Sequence, residues 1–139
     1  MGKVYTTITV TNRIDQSNAE DGLLPAEQVR SVTIPNVLLD TGATTLCLPL
    51  EIIQQLGLKP MRRVPVETAQ GIAESRIFRD ASVSLLGREG TFECLELPGG
   101  RQPLLGVIPM EALGVEPDLH NQTVRVLPET EQDTYWTIL

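Results

Sequence analysis

Histidine, cysteine and aromatic residues are nearly missing from this sequence. One histidine, two cysteines, one tryptophan, two tyrosines and two phenylalanines stand among 139 residues. With so few rings the core has to be mostly aliphatic. No set of side chains has zinc-ligand spacing, so no metal site is expected. The sole histidine, His120, lies in the turn-like stretch Pro117-Asp118-Leu119-His120-Asn121-Gln122. Its pairing with Cys47 in space stays conceivable. Cys47 and Cys94 stand without a secretory leader, and a lone pair in that setting reads as two buried thiols. No glycine-rich phosphate loop and no serine nucleophile elbow occurs, so no cofactor is expected.

Positive charge is short as well. Eleven Lys and Arg face eighteen Asp and Glu, a formal net charge of −7. With no basic run, that argues against a nucleic-acid surface. No apolar stretch reaches transmembrane length, and Met1-Gly2-Lys3-Val4-Tyr5 has no signal-peptide character. The expectation is a cytoplasmic protein with neither membrane nor nucleic acid as a partner. Repeats and low-complexity tracts are absent, and the length suits a single domain over residues 1–139.

What is present is β patterning. Residues 4–11 alternate, with Val4, Ile8 and Val10 on one side. Residues 12–28 are polar and read as a long loop. Val29 to Ile34 reads as a second strand, and Pro35-Asn36 as a turn into a third. Pro49 and Gly57 bracket a short helix with Ile52, Ile53 and Leu56 on one face. Residues 64–78 read as a hairpin with Gly71 near its tip. Strands follow at 81–86 and 91–97, joined by a turn at Gly87–Gly90. A second short helix fits Pro109–Gly114, and a strand fits 123–127. The fold class expected is mainly β, a closed barrel with one or two short helices.

The stretch that carries chemistry is Val37-Leu38-Leu39-Asp40-Thr41-Gly42-Ala43-Thr44-Thr45-Leu46. An apolar strand delivers one carboxylate to a tight turn and then resumes. A carboxylate there is costly to ionise unless something bonds it. Backbone N–H groups at Gly42 and Ala43 and the Thr41 hydroxyl are on hand. Asp-Thr-Gly alone is ordinary turn chemistry. The order around it is more specific: this loop, a helix, a glycine-tipped hairpin, two strands, then Leu104-Leu105-Gly106 and another helix.

That order resembles the retropepsin-like aspartic proteases, particularly the small cellular and bacterial members, over roughly residues 29–127. The resemblance implies an acid-protease barrel and an aspartic endopeptidase acting on peptide or unfolded protein. It implies that Asp40 is the catalytic aspartate, with Thr41, Gly42 and Ala43 forming the active-site loop. Gln70, Gly71 and Ile72 would be the flap over a bound peptide. Leu104, Leu105 and Gly106 would pass beneath the loop and fix it. Viral members carry Arg after that last glycine and Asp after the alanine; here those positions are Val107 and Thr44. With one Asp-Thr-Gly per chain, the second carboxylate has to come from a second copy, in a homodimer. The apolar terminal strands, Val4–Thr11 and Tyr135–Leu139 within the tail 128–139, lack an obvious partner in a minimal barrel, and one or both are expected at that dimer interface, the alternative for Val4–Thr11 being pairing within its own barrel. The alternative is a module of the same fold that binds peptide or partner without cutting.

Overall fold

The computed structural model describes residues 2–99 and 102–127. It is mainly β. The elements run β1 (Tyr5–Asn12), α1 (Arg13–Glu20), a 3-10 turn (Ala26–Gln28), β2 (Ser31–Leu39), β3 (Leu46–Leu48) and α2 (Leu50–Leu56). There follow β4 (Lys59–Thr68), β5 (Gly71–Leu85), β6 (Arg88–Glu96), β7 (Leu104–Leu105), α3 (Val107–Leu113), β8 (Val115–Asp118) and β9 (Thr123–Val126).

Seven strands form one sheet in the order β1-β2-β7-β3-β6-β5-β4, and β1 also pairs with β5. The pairings therefore return on themselves, leaving β4 outside the ring as an edge. β8 and β9 make a separate hairpin. The core inside is aliphatic: Ile8, Leu46, Leu48, Ile53, Leu56, Leu85, Leu105 and Leu113 are fully buried, and among the described residues Phe78 is the one buried ring. Among the described residues no helix is long and apolar enough to cross a membrane.

Several expectations change. The supposed loop at 12–28 holds α1 and the 3-10 turn, so the described chain has three α-helices and not one or two. α1 was invisible because Asp15 is its only buried residue, so it has no apolar face to give a 3.6-residue rhythm. Pro35-Asn36 is not a turn between strands. It is a bulge within β2, with Asn36 at φ 58° and the register slipping opposite Thr6–Ile8. A second bulge at Arg79–Asp80, with Asp80 at φ 66°, keeps β5 one continuous strand where two were expected. The β5–β6 turn falls at Leu86-Gly87, both left-handed, so Arg88 to Gly90 already belong to β6. β8 was read as part of a turn. β1 is not an unpartnered edge: β2 and β5 flank it within its own chain. The expected strand at Tyr135–Leu139 lies outside the described residues.

Polar contacts replace the missing apolar face of α1. The Asn12 side chain caps the helix by accepting from Asp15 N–H at 3.0 Å, and its amide donates to the Leu56 carbonyl at 2.8 Å. Asp15 accepts from Arg30 through Nε at 2.8 Å, Nη2 at 3.0 Å and the backbone N–H at 3.1 Å. The Arg30 guanidinium holds the Asp15 carboxyl below its ordinary value of 3.8. Stability from this pair is therefore complete above that ordinary value and fades as pH falls through the lower folded one. Asp15→Asn is expected to cost about 1–2 kcal/mol at neutral pH, since Arg30 is half in solvent. Denaturation at several acidic pH values checks this: the deficit should shrink as pH drops.

Candidate active site

Three strands meet where Asp40 leaves the sheet. β7 lies between β2, to which it is parallel, and β3, to which it is antiparallel. Leu39, Leu105 and Leu46 stand abreast and are all buried. This apolar rung fixes the end of β2. Asp40 N–H then donates to the Leu105 carbonyl at 3.0 Å. The carboxylate accepts from Gly42 N–H at 2.8 Å, and Ala43 N–H donates to the Asp40 carbonyl at 3.1 Å. A β-carbon on Gly42 would sit 3.2 Å from Asp40 Oδ1, so glycine leaves the carboxylate room.

Gly106 pins the loop from below. Its N–H donates to the Thr45 carbonyl at 3.0 Å. A β-carbon on it would stand 2.6 Å from the Ala43 carbonyl, Thr45 N and the Thr45 carbonyl alike. α3 begins at once, and its first N–H groups are spent on the same loop: Val107 donates to Ala43 at 2.9 Å and Ile108 to Thr44 at 3.0 Å. The two positions that depart from viral members, Thr44 and Val107, thus take part in main-chain bonds between loop and helix.

Asp40 opens into a cleft of about 790 Å³. Its wall is a transverse row set by strand register: Leu104 on β7 beside Cys47 on β3, then Leu95 on β6, Ile77 on β5 and Arg62 on β4. All five line the cleft. Val64, Val66 and Thr68 continue along β4. Arg62 reaches over β5 to Glu93, two residues before Leu95, with bonds of 3.0 and 3.1 Å to the two carboxylate oxygens. Each partner favours the charged form of the other, so Glu93 titrates below and Arg62 above its ordinary range. Thr45 Oγ1 donates to the Glu93 carbonyl at 2.7 Å, which joins the far side of the Asp40 loop to β6.

Cys47 and Cys94 are both free and buried, as expected. Cys47 faces the cleft, and burial together with the negative Asp40 pushes its thiol up to about 11. Burial pushes Cys94 higher still. Neither is a thiolate at neutral pH. His120 is exposed on the β8–β9 turn. Among the described residues no group of three or more His, Cys, Asp or Glu side chains could hold a metal ion.

The structure thus brings Asp40, Gly42, Ala43 and Leu104 to the cleft, with Leu105 and Gly106 directly behind. Thr41 is exposed beside it. Gln70, Gly71 and Ile72 sit at the end of the β4–β5 hairpin, all exposed and off the cleft wall, which Thr68 and Ala69 complete. Thr68 pairs with Gly71 across a two-residue tip, and its hydroxyl donates to the Gly71 carbonyl at 2.7 Å. The cleft residues missed from sequence include Arg62, Ile77, Glu93 and Leu95.

A family model described as aspartyl protease matches residues 28–108. That span is more than half of the chain and covers the Asp40 loop, the hairpin, the cleft wall and Gly106. The chain belongs to the aspartyl protease family. No curated protein matches it in sequence.

Proposed function

We propose that this protein is a homodimeric endopeptidase of the retropepsin type, with Asp40 of each chain at the two-fold axis. The observation that carries the reading is the setting of Asp40. A rigid apolar rung aims one half-buried carboxylate into the cleft, and the loop bearing it is held to β7 and α3 by main-chain bonds and to β6 by the Thr45 hydroxyl. We read the ring of strands as the closed barrel of that family.

Peptide hydrolysis by this route needs two carboxylates with one proton between them. One takes a proton from the attacking water while the other donates to the carbonyl oxygen. The other carboxylates lining the cleft, Glu67 and Glu93, belong to β4 and β6, and Glu93 is already bonded to Arg62. A second Asp40 from an isologous partner supplies the missing group. The substrate is an extended segment of peptide or unfolded protein lying along the cleft. The hairpin tip at Gln70-Gly71-Ile72 acts as the flap, with Gly71 at φ 114° and open space around it.

Incubation with a denatured protein across acidic and neutral pH tests the reading. Cleavage should be bell-shaped in pH, because both the doubly charged and the doubly protonated pair are idle. A pepstatin-type transition-state mimic should block it, and chelators should not. A protein that elutes as a monomer and cuts nothing at any pH would instead be a binding module.

A further inference from the structure

The cleft wall has an apolar middle and a charged end. Cys47, Leu95 and Ile77 stand abreast in register and Arg62 closes the row on β4, while Glu93 lies to one side of it, two residues before Leu95 on β6, with its carboxylate bonded by Arg62. A side chain laid along that row from the Cys47 end rests its stem on hydrocarbon and brings its tip to the Glu93 carboxylate where Arg62 bonds it across β5. This is the profile of lysine or arginine, an aliphatic stem ending in a cation. Leucine would leave the charged end unused, and glutamate would face Glu93.

The two members of the ion pair are not equally placed. Glu93 sits on β6, paired on one side with β5 and on the other with β3, and its carbonyl is held by Thr45. Both side chains are about half in solvent, but Arg62 sits on β4, the edge strand, at the end of a longer side chain. Glu93 is the fixed partner and Arg62 the movable one. The charged residues lining the cleft are Asp40, Glu67, Glu93 and Arg62, an excess of carboxylates, and the whole chain carries −7. That field attracts cationic peptide and repels acidic peptide.

We propose that Glu93 selects substrates bearing lysine or arginine at the subsite formed by Cys47, Leu95 and Ile77, and that Arg62 holds the cation's place in the free protein. This rests on the peptidase reading and adds the class of substrate to it. Binding exchanges one guanidinium on Glu93 for another cation, so no charge is left buried and unpaired.

The test is a synthetic peptide set, identical except for Lys, Arg, Gln, Leu or Glu at each position around the scissile bond. It is presented to the full-length wild type, Glu93→Gln, and Arg62→Ala. The wild type should prefer Lys or Arg at one position by about tenfold in kcat/KM, the worth of one charge-assisted hydrogen bond. Glu93→Gln should lower kcat/KM for the Lys and Arg peptides by about tenfold more than for the Leu peptide, which erases the preference. Arg62→Ala should keep or increase it. A merely structural ion pair would lower all peptides together in both variants, and that result overturns the proposal. So does a preference for Leu or Glu. Binding of the same peptides to Asp40→Asn separates this inference from the one beneath it. If the wild type cuts nothing, the peptidase reading falls. The Glu93 proposal then stands only if Asp40→Asn still binds the Lys peptide more tightly than the Leu peptide, and equal affinity or none overturns it.

Discussion

Asp40→Asn is expected to reduce peptide cleavage by about four orders of magnitude or more, since it removes the base and the acid from the site together. The fold should survive. The asparagine Oδ1 can accept from Gly42 N–H as the carboxylate does at 2.8 Å, and the Leu105 and Ala43 contacts of residue 40 are main-chain. The variant should also keep the solution mass of the wild type, because the substitution leaves the backbone ties of the loop in place. Thermal unfolding and solution mass measured beside the rate distinguish lost chemistry from lost structure. An Asn variant that cuts at the wild-type rate would leave a β protein of this family whose chemistry lies elsewhere.

Gly106→Ala should have the largest effect on stability of the glycine-to-alanine changes among the described residues, because only there does the new methyl meet main-chain atoms under 3.0 Å. Gly106 has φ −90° and ψ −171°, a conformation open to any residue, so the cost is not backbone strain. It is steric. The new β-carbon would lie 2.6 Å from three main-chain atoms of the Asp40 loop, none of which can rotate away. Loop and β7 must separate, and with them go the bonds from Gly106, Val107 and Ile108 to the loop. The loss is expected to be about 3 kcal/mol, at the upper end of overpacking costs. Gly42→Ala is the informative companion. Its β-carbon meets only Asp40 Oδ1, at 3.2 Å, so it should move the carboxylate and lower activity while unfolding near the wild type. Urea midpoints and rates for the two variants check the split. Equal stability losses would mean that the loop is not pinned from below.

The Asp40 loop was legible because its parts are contiguous. An apolar strand, a carboxylate, a glycine turn and another strand fall within ten residues, and the close approach that Gly106 permits is announced by the Leu-Leu-Gly before a helix. The hairpin was legible through Gly71. Other features depended on contacts the sequence does not display. α1 has no apolar rhythm because a cap at Asn12 and the Asp15–Arg30 pair hold it. β1 looked unpartnered because its second neighbour, β5, comes some seventy residues later in the register, Thr9 opposite Ser84. The bulges at Asn36 and Asp80 let strands continue through residues that otherwise mark turns. Arg62 and Glu93 read as ordinary surface charges 31 residues apart, and only the register across β5 makes them neighbours at the end of the cleft.

The central claim is that one cleavage site uses Asp40 from two chains, and mixing tests it most directly. Wild-type and Asp40→Asn chains are unfolded together, refolded in varied ratio at constant total concentration, and assayed for peptide cleavage. If each site needs both aspartates, mixed dimers are dead and activity follows the square of the wild-type fraction. An equal mixture then keeps about a quarter of the full rate. If each chain cuts alone, the same mixture keeps about half and the plot is a straight line, which would contradict the shared site.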